Sequence, residues 1–168
     1  QAIGENLQYL TKLQTLDLSQ NAIGRQGDNG TIAIGKGLSY LTQLQNLDLS
    51  QNVIGAQGDN GTIALGKSLQ YLTNLQTLDL SDNNIGYTGD NGTIVIGENF
   101  KYLPHLQTLN LSDSNICSQG DNGAQVIGEN LQYLTNLQIL DLSGIGLERD
   151  TGFQAIGKGL RYLPQLQI

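Results

Sequence analysis

Leu13, Leu44, Leu75, Leu106 and Leu137 stand 31 residues apart, and each opens the same phrase: LQTLDLSQN, LQNLDLSQN, LQTLDLSDN, LQTLNLSDS and LQILDLSGI. A strict period of that length describes one supersecondary unit that cannot bury its own apolar face and must stack on copies of itself to make a core. The chain is therefore expected to fold as a single elongated domain over residues 1–168, about five and a half repeats long. With no Trp, no Met and two Phe, its core has to be a ladder of Leu and Ile. The first residues match the middle of a repeat and the last stop at the start of another strand phrase, so neither end reads as a polar cap. That predicts a piece of a longer array, or ends covered by other domains or by a second copy.

The periodicity changes twice within a unit. Leu16 and Leu18 alternate with Thr15, Asp17 and Ser19, a period of two that predicts a short strand with leucines inward and polar residues outward. The segment GRQGDNGT contains three Gly and an Asn-Gly pair, which predicts a turn with positive φ. Ile34, Leu38 and Leu41 then follow at helical spacing, as do Ile96, Phe100 and Leu103. Gly35, Gly66, Gly97, Gly128 and Gly157 fall inside these helices and cost about 1 kcal/mol each against Ala. Close approach of neighbouring helices is the expected reason for them. Thr31, Thr62 and Thr93, or the adjacent aspartates, are expected to cap the helices.

The phrase L-x-x-L-x-L-x-x-N, followed by an amphipathic helix, resembles the leucine-rich repeat, and specifically its ribonuclease-inhibitor-like class. The resemblance implies an α/β solenoid: a curved horseshoe with a parallel sheet on the concave face and helices on the convex one. It also implies that Asn21, Asn52 and Asn83 form a ladder satisfying loop backbone groups, with departures at Ser114 and Ile145. Such horseshoes are mostly protein-binding scaffolds. GTPase-activating proteins occur in this class, which brings Arg25 and Arg149 into view as loop arginines.

Charge narrows the partner. Fifteen acidic against eight basic residues give a net charge of −7, which disfavours nucleic acid and favours a basic protein partner. No apolar run approaches the roughly 20 residues of a membrane span, so no membrane insertion is expected. Self-association through uncapped ends is a further partner expectation. On the outward strand positions Asp17, Asp48, Asp79 and Asp141 recur, with Asn110 in the fourth copy, Ser19, Ser50 and Ser81 two residues on, and Asp82 and Asp113 beyond. No Lys or Arg lies in a strand phrase. This is read either as an acidic docking stripe on the concave face or as the commonest form of the repeat phrase, tolerated in water. Tyr87 is the turn anchor candidate.

A second acidic row, Asp28, Asp59, Asp90 and Asp121, precedes Asn-Gly in each turn. Repeated oxygen-rich loops could share Ca²⁺, which needs six to eight oxygens at about 2.4 Å, although one turn supplies too few and no bidentate Glu is present. The competing reading is that Asp serves the helix dipole. The Gln14, Gln45, Gln76, Gln107, Gln138 and Gln167 column is expected to stack its amides, and the tyrosine in each copy to pack on its neighbouring helix or to form a contact row. His105 is expected on the surface and Cys117 as a tolerated small residue. With no nucleophile aligned to His105 and no phosphate loop carrying its Lys, neither catalysis nor a cofactor is expected. The main reading is thus a non-catalytic interaction scaffold. The alternatives are a Ca²⁺-stabilised structural or adhesion array, and the recognition half of a larger enzyme.

Overall fold

Each strand phrase closes into three residues of extended chain: β1 (Thr15–Asp17), β2 (Asn46–Asp48), β3 (Thr77–Asp79), β4 (Thr108–Asn110) and β5 (Ile139–Asp141). The computed structural model describes residues 1–146 and 150–167. The strands pair in chain order into one parallel sheet, with Leu16 opposite Leu47, Leu47 opposite Leu78, Leu78 opposite Leu109 and Leu109 opposite Leu140. Helices α1 (Ala2–Asn6), α2 (Asn29–Leu38), α3 (Asn60–Ser68), α4 (Asn91–Glu98), α5 (Asn122–Asn130) and α6 (Asp150–Leu160) form the second layer, each packed on the next. Short 3₁₀ turns ending at Tyr9, Tyr71, Tyr102 and Tyr133 carry the chain from α1, α3, α4 and α5 toward the following strand. Among the described residues, no helix is long and apolar enough to cross a membrane.

The expected aliphatic ladder is the core. Leu44, Leu75, Leu106 and Leu137 are fully buried, as are Leu78 and Leu109 on the strands and Leu38, Leu72 and Phe100 from the helical side. Each such side chain contributes about 1.5–3 kcal/mol on burial, so several per repeat outweigh the roughly 1 kcal/mol that an interior Gly costs a helix. That Gly is needed for the stacking itself. A Cβ on Gly35 would lie 2.6 Å from the carbonyl carbon of Ala64, and α2 could then not rest on α3. Leu160 departs from the stripe, being exposed while Ile156 and Leu163 are buried.

The Asn-Gly pairs do not form the turns. Asn29, Asn60, Asn91 and Asn122 are the first residues of α2 to α5, while positive φ falls earlier, at Gly24 and Gly27 in the first turn. Glycine there takes the left-handed bend, so the Asn-Gly pair is free to start the helix. A second left-handed position, unmarked by glycine in most copies, follows each strand phrase: Gln20, Gln51, Asp82, Asp113 and Gly144.

Between strand and turn, the asparagine ladder connects the repeats. Asn83 shares its amide protons among Leu49 O (2.9 Å), Leu80 O and Ser81 O (both 3.1 Å), and its Oδ1 accepts the Ile54 N–H at 3.0 Å. Asn52 does the same for Leu18, Leu49 and Ser50, and accepts the N–H groups of Asn21 and Ile23. In the fourth copy the Ser114 hydroxyl reaches the two corresponding carbonyls, Leu80 O and Ser112 O, and in the fifth Ile145 is simply buried.

Removing one partner from a buried group costs about 1–3 kcal/mol, and Asn83 serves four. Asn83→Ala is therefore expected to lower unfolding free energy by at least about 3 kcal/mol in chemical denaturation. Asn21→Ala, at an exposed position with two short-range bonds, should cost clearly less.

Candidate functional site

Register pairing turns the strand aspartates into one column, Asp17 beside Asp48, Asp48 beside Asp79, Asp79 beside Asn110 and Asn110 beside Asp141. The strand needs an acceptor there. In every copy Oδ1 takes the backbone N–H of the serine two residues on, at 2.9 Å from Ser19, Ser50, Ser81 and Ser143 and 3.1 Å from Ser112. In four copies it also takes the serine hydroxyl, at 2.6–2.8 Å. This is the local Asx-type closure that ends an extended segment, and it explains why Asn can replace Asp.

The same bonds tune the acid. The side-chain bond from Ser19, then its backbone bond, holds Asp17 below the ordinary carboxylate range, and Ser143 does so for Asp141. Neighbouring strands lie about 4.8 Å apart, so like charges on adjacent strands repel, weakly in water. Donation to Oδ1 eases this repulsion without neutralising it. Only Asn110 does more, giving its amide to Asp79 Oδ2 at 3.1 Å. Ser50 and Ser81, expected on the contact surface, are instead 9% and 7% exposed. The Ser81 hydroxyl is turned to Asp79, and the acids of these two strands, partly exposed, are more accessible than the serines.

Asp82 and Asp113 are exposed just past the strands, in the left-handed position described above. Tyr87 is also exposed, in the turn before α4, with its carbonyl accepting the Gln119 amide at 2.9 Å.

The rim aspartates do something the repeat unit alone does not reveal. Asp28, Asp59, Asp90 and Asp121 stand at the N-cap positions of α2 to α5 but have helical backbone angles and make no side-chain bond to their own helices. A capping side chain requires an extended N-cap residue. Their carboxylates reach instead into the next repeat. Asp59 Oδ1 accepts the Thr88 hydroxyl at 2.9 Å, and Asp121 Oδ2 accepts the Gly152 N–H at 3.3 Å together with the Thr151 hydroxyl. Asp28 Oδ1 and Asp90 Oδ1 are buried without a partner among the described residues, as are the hydroxyls of Thr31, Thr62 and Thr93. Those threonines do not cap either. Each is a wedge against the following repeat, and a Cβ on Gly61 would lie 2.8 Å from Thr31 Cβ. Among the described residues, no three His, Cys, Asp or Glu side chains gather as a metal cluster.

Other expectations resolve simply. The glutamine column is stitched by backbone, Gln45 N–H to Gln14 O and Gln76 N–H to Gln45 O at 2.8 Å, while these side-chain amides make no bonds to one another among the described residues. Burial first, then Asp121 and Asp90, pushes the Cys117 thiol up to about 11, so it is an unreactive thiol at neutral pH. His105 and Arg25 are exposed, and Arg149 lies outside the described residues. The tyrosines of the repeat are exposed rather than packed away.

A family model described as leucine-rich repeat matches residues 9–34, 71–89 and 102–128, in three of the copies that the sheet and helices stack. No curated protein matches the chain. These matches and the five parallel strands alternating with helices fit an α/β leucine-rich repeat solenoid, and leucine-rich repeat domains are generally protein-interaction scaffolds and typically non-enzymatic.

Because the Ser19 hydroxyl bond stabilises only the ionised form, Ser19→Ala is expected to raise the Asp17 pKa toward its ordinary value while leaving Asp141 unchanged. A carboxyl-carbon NMR titration of both residues checks this.

Proposed function

We propose that the chain is a non-catalytic scaffold that holds a basic protein partner through the column of Asp17, Asp48, Asp79 and Asp141 and the turns beside it, with Asp82, Asp113 and Tyr87 as flanking contacts. The observation that carries the reading is the state of the carboxylates. Each is oriented through Oδ1 by its own serine, which leaves Oδ2 available, and among the described residues only Asp79 Oδ2 is engaged by a neighbour. Acceptors fixed in advance lose little freedom on binding Lys or Arg. The strand phrases contain no cation to compete. Ile139, 52% exposed beside Asp141 on β5, adds one apolar contact to an otherwise polar face.

Asp17→Asn, Asp48→Asn and Asp141→Asn together keep the serine-accepting oxygen and remove three charges. The triple variant is expected to bind an immobilised polyarginine peptide at least about tenfold more weakly, about 1.4 kcal/mol. Binding by the unaltered chain should itself weaken with added salt. Equal binding by both proteins would end this reading.

A second reading, a Ca²⁺-stabilised array, is favoured by one observation: the orphaned oxygens of Asp28, Asp90, Thr31, Thr62 and Thr93 at the junctions between repeats. Against it, these groups supply one carboxylate per junction where Ca²⁺ takes six to eight oxygens. An ion bound only by the folded chain raises the melting midpoint. The scaffold reading therefore expects the same midpoint in excess Ca²⁺ and in EDTA. A rise with Ca²⁺ that disappears in Asp28→Asn with Asp90→Asn would select the second reading.

A further inference from the structure

The edge of the solenoid that leads from each helix back to the next strand has a chemistry unlike the rest of the molecule. Tyr9, Tyr40, Tyr71, Tyr102, Tyr133 and Tyr162 fall there, one per repeat, and are between 39% and 76% exposed. The leucines around them in the inner repeats, such as Leu38, Leu41, Leu69 and Leu72, are buried, while Leu10 and Leu160 beside the first and last rings are exposed. Core filling is thus done by the aliphatic residues, and the rings are held out.

The connecting segments of this edge carry no acid, although Glu5 lines a groove with Tyr40 and Glu129 one with Tyr162. The six segments 7–13, 38–44, 69–75, 100–106, 131–137 and 160–166 contain none of the fifteen carboxylates. Their charged residues are Lys12, Lys101 and Arg161, and the last two lie over the rings of Tyr102 and Tyr162 at 5.2 and 5.3 Å. Elsewhere the residue before the ring is neutral and polar. The amides of Gln8, Gln70 and Gln132 each donate to a helix carbonyl three residues back, at 2.8–2.9 Å, which fixes the amide beside its tyrosine. The connectors are tied across repeats as well, Asn74 to Thr42 O at 2.8 Å and Asn136 to Pro104 O at 2.7 Å.

An exposed aromatic face with a fixed amide beside it, as at Tyr9, Tyr71 and Tyr133, is complementary to a sugar ring, whose C–H face stacks on the aromatic while its hydroxyls bond the amide. One ring per repeat suits a ligand that repeats too. A globular protein epitope concentrates its binding in a few distinct anchors, which a row of one tyrosine per repeat does not provide. Single-stranded nucleic acid also stacks on aromatic rows, but in a positively charged groove, and three cations over six repeats on a chain of net charge −7 do not make one. We propose that the tyrosine edge is a binding surface for an extended, uncharged polysaccharide. It lies apart from the acidic column and does not depend on the function proposed for that column.

The test is affinity electrophoresis and pull-down against neutral β-glucan, α-glucan and chitin, with polyuronate and single-stranded DNA alongside. The chain is expected to bind at least one neutral polysaccharide. Tyr71→Ala, Tyr102→Ala and Tyr133→Ala combined should weaken that binding more than tenfold, while the corresponding Phe substitutions keep it. The Asp17, Asp48 and Asp141 variant should bind the sugar as the unaltered chain does. Since there is no Trp and six of the seven tyrosines lie in this row, tyrosine fluorescence of the unaltered chain should change on saturation, a readout independent of whether any variant folds. Binding to none of the neutral polymers, binding only to polyuronate or DNA, or an undiminished Ala variant would each overturn the proposal.

Discussion

Everything in this molecule depends on a repeat being unable to satisfy itself. The buried asparagine at the end of a strand phrase illustrates the constraint: Asn83 bonds two carbonyls of its own repeat, one of the preceding repeat, and a backbone N–H at the start of the preceding turn. The apolar core is shared in the same way, with leucines facing leucines one period away. Polar satisfaction and burial therefore demand the same alignment, and any slip of register would lose both at once. Such agreement between levels is what gives a sequence one structure.

Locked register makes any outward residue into a column, and this is how a simple unit acquires large surfaces. An aspartate that would be unremarkable in a single strand becomes a line of like charges held apart only by the strand spacing. A tyrosine too large for the core becomes an aromatic edge. The columns are separate because each occupies its own phase of the repeat: carboxylates at the strand, rim aspartates before the helix and tyrosines after it. The copies are not identical, however. Asn110 interrupts the acidic line, Ile139 brings an apolar group into it and Cys117 replaces a glycine of the turn, all in the fourth and fifth units. Distinct ligand contacts in such an array come from these exceptions as much as from the repeated positions.

The strand phrase, the helical stripe and the parallel sheet were legible in the sequence because each follows from spacing inside one unit. So was the asparagine ladder, through the family resemblance. What was not legible lies between units. Thr31 and Asp28 look like helix caps when a repeat is read alone, yet the threonine abuts Gly61 and the aspartate leans into the next turn. The glutamine column looks like an amide stack, yet its regularity comes from backbone bonds that any residue could make. The left-handed backbone at Gln20 and Gln51 gives no sign at all in the sequence, and Gly144 marks that position only in the fifth copy. By contrast, the absence of carboxylates from the tyrosine segments was available from the sequence and needed only a count by position.

The wedge of threonine against glycine has a consequence for how such a chain can change. Thr31 meets Gly61, Thr62 meets Gly92 and Thr93 meets Gly123, so three successive junctions present the same half-joint on either side. A unit bounded by these surfaces is an interchangeable part. Gain or loss of a whole 31-residue block among these copies would join a familiar threonine to a familiar glycine and leave no misfit. The array can thus alter its reach in whole steps, keeping its chemistry per step unchanged while the number of ligand units it can span varies.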